Sequence, residues 1–199
     1  MLVKGHIVGW FQGRTEFGPR ALGNRSILAC PTFTWMKDFL NLKVKHREPF
    51  RPFAACVLLE EASKYFENVS ESPFMLKVYY LRQEFREIFP AIRHVDGSCR
   101  LQTVTPNQNP ELYRLLVEMR RRTGFGVLLN TSMNLAGEPI IDSPDQALNL
   151  FDRSGLEALV LGPYIISKHQ SRLSVPDVSR SRTVTPLPHR KASDVPFPY

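Results

Sequence analysis

The sequence predicts one α/β domain, on three observations. Short apolar runs that read as strands alternate with amphipathic runs that read as helices, and the two kinds intermix along the chain instead of segregating. At 199 residues and 43% hydrophobic, the chain can bury one core of ordinary size. No internal repeat divides it.

The first strand is expected over His6–Phe11 and the second over Arg25–Cys30. Between them lies a loop dense in glycine and arginine, with Gly13, Gly18 and Gly23 at steps of five and Arg14, Arg20 and Arg25 among them. Glycine lets backbone approach a ligand closely, and the planar arginine fork matches phosphate or carboxylate oxygens two at a time. The loop therefore suits an oxyanion, against the plainer reading of a tight turn with solvated arginines. Pro31 ends the second strand, and Thr34 is placed to cap a helix over Trp35–Lys43.

A basic segment broken by Pro49 and Pro52 follows, carrying Lys43, Lys45, Arg47 and Arg51, and leads into a third strand at Ala54–Leu59. Its position before a core strand points these charges toward a cleft. A short helix is expected over Glu60–Phe66 and a strand over Met75–Leu81, while 82–93 carries no motif. Asp96-Gly97 marks a turn before a strand to Val104, and His94 beside it reads as a hydrogen-bonded structural histidine.

Asn109-Pro110-Glu111 is a helix start, with an Asn cap, Pro at the first position and an acid in the first turn. Arg120-Arg121-Arg122 suits the other end of that helix dipole, and Gly124 ends it. Val127–Leu129 is a buried strand that runs into Asn130-Thr131-Ser132-Met133-Asn134, short polar side chains at the place where α/β proteins make ligand contacts. Ser143-Pro144-Asp145-Gln146 forms a capping box for a helix to about Phe151, and Leu156–Leu161 and Tyr164–Ser167 close the sheet.

The net charge is +7, of which +4 falls in the last 32 residues, so the body is only mildly basic. From Lys168 onward five prolines and scattered charge without apolar period predict a disordered tail, giving domain boundaries of 1–167 and 168–199. Cys30, Cys56 and Cys99 are odd in number, lack metal or redox spacing and have apolar neighbours, as in small core residues of a reducing compartment. No apolar run is long enough to span a bilayer and no signal-peptide layout is present, so a cytoplasmic location is expected.

The stretch Gly9-Trp10-Phe11-Gln12-Gly13-Arg14 through Glu16-Phe17-Gly18-Pro19-Arg20-Ala21-Leu22-Gly23-Asn24-Arg25-Ser26 resembles the opening signature of the C-terminal domain of O-carbamoyltransferases. The likeness continues through Lys45-His46-Arg47-Glu48-Pro49-Phe50-Arg51-Pro52-Phe53, His94-Val95-Asp96-Gly97, Arg100-Leu101-Gln102-Thr103-Val104 and Leu128–Asn134, spanning about residues 3–167. The resemblance implies a YrdC-like domain, a mixed twisted sheet with flanking helices, with a paired K-x-R and S-x-N signature at Lys45-His46-Arg47 and Ser132-Met133-Asn134.

It also implies ATP-dependent chemistry, in which carbamate from carbamoyl phosphate attacks the α-phosphate of ATP to give carbamoyl-adenylate. Lys45, Arg51 and Arg100 are then the expected catalytic residues, with Arg20, Arg25, Arg47, Asn130, Thr131, Ser132 and Asn134 on substrate and nucleotide. No dedicated metal ligand set is seen, so Mg²⁺ is expected to ride on the phosphates. An actin/Hsp70-like, metal-binding transfer domain that the family carries N-terminally is the partner the resemblance implies, either as a further domain of the same protein or as a separate subunit. The alternatives are an RNA-binding module using the same basic face, which the mildly basic body argues against, and an inactive scaffold.

Overall fold

The computed structural model describes residues 1–168; the tail expected to be disordered lies outside the described residues beyond Lys168. Eight strands form one mixed sheet: β1 (Val8–Phe11), β2 (Arg25–Ala29), β3 (Ala54–Leu58), β4 (Lys77–Tyr80), β5 (Ser98–Val104), β6 (Val127–Ser132), β7 (Ala158–Leu161) and β8 (Tyr164–Ser167). Their spatial order is β4-β5-β3-β6-β2-β1-β7-β8. The β3–β5 and β1–β7 pairs are parallel and the remaining neighbours antiparallel. Residues of β2 and β3 are buried throughout, as expected for central strands covered on both faces.

Among the described residues four α-helices flank the sheet: α1 (Met36–Phe39), α2 (Leu59–Tyr65), α3 (Pro110–Thr123) and α4 (Pro144–Arg153). Two begin as the sequence predicts. Asn109 caps α3 by accepting from Leu112 N at 3.0 Å, and Ser143 and Gln146 form the reciprocal capping box of α4. Gly124 ends α3 in the left-handed conformation at φ 82°. Arg121 and Arg122 at that end pair with Glu118 on the same helix, and Arg120 lies 3.9 Å from Glu61 of α2, so structural ion pairs take up the arginine run.

The helix expected over Trp35–Lys43 differs from its prediction. Only Met36–Phe39 is α-helical, the next five residues Leu40–Val44 form a π-helix, and Trp35 rather than Thr34 stands at the N-cap, with no side-chain cap bond. The wider turn places Lys45 N on Leu40 O at 2.8 Å. His46 then takes a left-handed φ of 49°, and Arg47 N bonds Asn41 O at 2.9 Å. Lys45 and Arg47 thus leave a tight helix end set by backbone hydrogen bonds on either side of His46.

The strand predicted at Met75–Leu81 shortens to Lys77–Tyr80, because Met75 has φ 55° and cannot continue the ladder. Asn130, Thr131 and Ser132, expected just beyond a strand, belong to β6 itself. Ser26 pairs with Ser132 and Ala54 with Asn130, so neighbouring strands hold them in register on both sides. All three cysteines are free and buried in the core. Burial pushes the Cys56 and Cys99 thiols up to about 12, the opposite of a reactive thiolate.

Candidate functional site

The glycine–arginine loop is tied down from within. Glu16 Oε1 accepts from the backbone N–H groups of Leu22 (2.7 Å), Asn24 (2.7 Å) and Arg25 (3.1 Å), so one carboxylate closes the loop's base. Trp10 Nε1 donates to Gly23 O at 2.9 Å. Gly23 itself has φ +103°, and a Cβ there would fall 2.5 Å from Leu112 Cδ2, so only glycine lets the loop pack on the first turn of α3. Gln102 Nε2 and Asn130 Nδ2 donate to the carbonyls of Leu22 and Ala21, at 2.8 and 3.3 Å, and anchor the loop over the sheet.

Arg20, Ala21, Arg47, Ala54, Arg100 and the β6 residues Asn130, Thr131 and Ser132 line a small cavity of about 90 Å³ in front of β3, β5 and β6. No carboxylate lines it. Among the described residues, none of Arg20, Arg47 and Arg100 is ion-paired. Burial depresses the Arg100 guanidinium from its ordinary value, and the nearby Arg20 charge adds to the effect. Burial also acts first on Arg47, with the Arg51 and Arg100 charges lowering it further. Glu48 opposes these charges at Arg47, but the guanidiniums still repel one another, and an oxyanion placed among them relieves that repulsion.

Lys45 is almost fully buried at the edge of this site. Its Nζ lies 2.8 Å from Ser132 O, 3.3 Å from Ser132 Oγ, 2.9 Å from Asn134 O and 2.6 Å from Asn134 Oδ1. The K-x-R and S-x-N segments therefore meet through the lysine, which clamps the end of β6. Burial, with Arg47 beside it, brings the amine down from 10.5 to about 7. A neutral amine keeps two N–H donors for these four oxygens, and an anion arriving nearby favours uptake of a proton from solvent, which adds a third.

Two predicted residues sit elsewhere. Arg25 is buried, with its guanidinium stacked 3.6 Å over the Phe11 ring, donating to the carbonyls of Gln12, Gly13, Asn24 and Asp142. That geometry makes it a clasp for the loop. The Arg51 side chain is about half exposed, lies 3.9 Å from Glu48 and does not line the cavity. His94 is the structural histidine expected: Nδ1 meets Ser98 Oγ at 3.1 Å and Nε2 meets Phe53 O at 3.3 Å.

Sequence reasoning passed over Asn41, Gln102 and Glu16. Asn41 is fully buried, donates to the carbonyls of Pro49 and Arg51, and accepts from Arg47 Nε at 2.8 Å, so it shapes the whole basic segment. A polar residue inside the apolar helical stripe was its only signal. A second, larger cavity of about 420 Å³ adjoins the first at Pro19 and is lined by Thr15, Glu16, Gly18, Asn134, Pro139 and Ile140. Among the described residues no cluster of His, Cys, Asp or Glu could hold a metal ion, and no helix is long and apolar enough to cross a membrane.

Fold and site together define an α/β domain with a guanidinium-lined hollow. The family model described as the carbamoyltransferase C-terminus matches residues 1–168, and the chain belongs to that family. It is 48% identical over 170 residues to the nodulation protein NolNO of Sinorhizobium fredii, covering 84% of this chain and 25% of that protein. It is 41% identical over 161 residues to the 3'-hydroxymethylcephem-O-carbamoyltransferase of Amycolatopsis lactamdurans, covering 81% of this chain and 30% of that enzyme. This chain therefore spans between a quarter and a third of the length of these relatives. The crystal structure of full-length HypF in its phosphate- and nucleotide-bound form shares the fold, with a TM-score of 0.55 at 20% identity, over 81% of this chain and 24% of that one.

Proposed function

We propose that this domain activates a carbamoyl group by forming carbamoyl-adenylate from carbamoyl phosphate and ATP. The observation that carries the reading is the carboxylate-free cavity in which Arg20, Arg47 and Arg100 converge on the β6 residues Asn130–Ser132. Family membership and the nucleotide-bound HypF neighbour support it. The small cavity suits an acyl or phosphoryl group. The adjoining one, at about 420 Å³, falls in the range of small-molecule sites, about 300–1,000 Å³, and suits a nucleoside.

In this reading water first attacks carbamoyl phosphate, the acyl–phosphate linkage breaks, and carbamate and inorganic phosphate result. A carbamate oxygen then attacks the α-phosphorus of ATP, the bond to the bridging oxygen breaks, and pyrophosphate leaves with the electron pair. The chain's own residues position and stabilise charge: Arg20, Arg47 and Arg100 face the phosphoryl oxygens and Thr131 offers a hydroxyl donor, while the Ser132 hydroxyl donates to Asn134 Oδ1 at 2.7 Å and helps to hold the end of β6. Lys45 acts by holding Ser132 and Asn134 in place and by regaining its proton when the anions arrive. Arg51 is near enough to Arg47 to add to the field at the mouth. The lining of the small cavity offers no carboxylate to a cation, so Mg²⁺ would enter on the phosphates. Transfer to an acceptor hydroxyl would fall to the partner transfer domain.

The test is ATP–pyrophosphate exchange by the chain in the presence of carbamoyl phosphate. Arg100→Ala is expected to lower exchange at least about 30-fold, the equivalent of about 2 kcal/mol for a charge-assisted contact. Absence of exchange in the wild type, or equal exchange in the variant, overturns the assignment.

A further inference from the structure

Two buried polar atoms on side chains that line the small cavity have no partner among the described residues: Arg100 Nε, a donor, and Asn130 Oδ1, an acceptor. The sheet explains why they occur together. Ala54 pairs with Asn130 across β3–β6, and Ala55 is level with Leu101 across the parallel β3–β5 pair. Arg100, Ala54 and Asn130 therefore stand side by side on one face of the sheet. Strand spacing sets the β5 and β6 backbones roughly 10 Å apart, with only the Ala54 methyl group between them. The result is a slot with a donor on one wall and an acceptor on the other.

The polarity of Asn130 is dictated by its neighbours. Gln102 Nε2 donates to Leu22 O at 2.8 Å, which turns Gln102 Oε1 toward Asn130, where it accepts from Nδ2 at 2.9 Å. The same Nδ2 donates to Ala21 O at 3.3 Å. Reversing the Asn130 amide would set its oxygen against two acceptors, so the free atom has to be the oxygen. Asn130 is 1% exposed, and an unpaired acceptor this deep carries a desolvation penalty that a ligand N–H removes.

We propose that Asn130 is a specificity-determining residue that accepts a hydrogen bond from the amino group of the carbamoyl substrate, while Arg100 binds its oxygen. This rests on the reading of the site as an acyl-phosphate cleft. A carbamoyl group offers both an N–H donor and a carbonyl acceptor across a planar carbon. An acetyl group has nearly the same shape but puts a methyl where the N–H would be, leaving Asn130 Oδ1 buried and unpaired. A site built to bond a polar group rejects the analogue that lacks it, here by about tenfold to a hundredfold.

The experiment is calorimetric titration of the full chain with carbamoyl phosphate and with acetyl phosphate, in the wild type, Asn130→Leu and Gln102→Met. The wild type is expected to favour carbamoyl phosphate by at least about tenfold. Asn130→Leu is expected to bring the two affinities together by weakening carbamoyl phosphate alone. Gln102→Met, which frees the Asn130 amide to turn, is expected to narrow the ratio while leaving the acceptor in place. Equal wild-type affinities, or an unchanged ratio in both variants, overturn the assignment of Asn130 and leave the cleft intact. Failure of the wild type to bind either acyl phosphate overturns the underlying reading as well.

Discussion

Lys45 gives the prediction with the most physical content. In Lys45→Met the stem keeps its length and apolar packing but loses the amine. The folded protein holds this amine at about 7 and the unfolded chain near its ordinary 10.5. Between those values the unfolded state binds more protons than the folded one, so the lysine's contribution to stability rises with pH. The rise is at most about 1.4 kcal/mol per pH unit, which amounts to about 2–3 kcal/mol between pH 7.5 and 9.5. The non-titrating variant lacks that slope. The shifts of Cys56 and Cys99 are common to both proteins and cancel in the difference. Urea denaturation of both proteins at half-unit pH steps measures it. The stability difference should widen in favour of the wild type as pH rises from 7 and stay flat below it. A difference independent of pH would refute the reasoning, since it would mean that the four oxygens around Nζ keep the lysine charged in spite of its burial. Binding of a phosphate-bearing ligand should also draw a proton onto Lys45 at pH 8, seen as a binding enthalpy that varies with the ionisation enthalpy of the buffer.

Arg25→Met should lower stability by about 2–4 kcal/mol, read as a drop in urea midpoint, because four backbone carbonyls lose a charged donor. Gly23→Ala should destabilise by about 2–4 kcal/mol, through both its positive φ and the contact with Leu112. Gly13→Ala makes the comparison: its φ is 49° but nothing lies within 4 Å, so about 1 kcal/mol is expected. A Gly23 variant no worse than the Gly13 variant would refute the packing argument.

The sequence by itself determined what is local. The Asn109 and Ser143 caps, the Gly124 stop and the alternation of strands with helices depend on groups a few residues apart, and they appear as read. The segments that line the cavity were legible too, because glycine and arginine at close spacing, and short polar side chains at the end of an apolar strand, are types that few structural roles require. What each arginine does was not legible. Arg20 in the loop and Arg25 at the start of β2 stand five residues apart, yet one lines a cavity while the other is buried against Phe11 and clasps backbone carbonyls.

Tertiary structure decided this, because a guanidinium is committed by whichever acceptors lie within hydrogen-bond reach. For Arg25 these include Asp142 O, 117 residues away. The π-helical turn before Lys45 and the meeting of Lys45 with Asn134 were equally out of reach of the sequence, the latter linking residues 89 apart. The free acceptor of Asn130 depends on Gln102, which depends in turn on the Leu22 carbonyl. Three strands and a loop have to be assembled before the amide has an orientation, so no single segment of the chain encodes it.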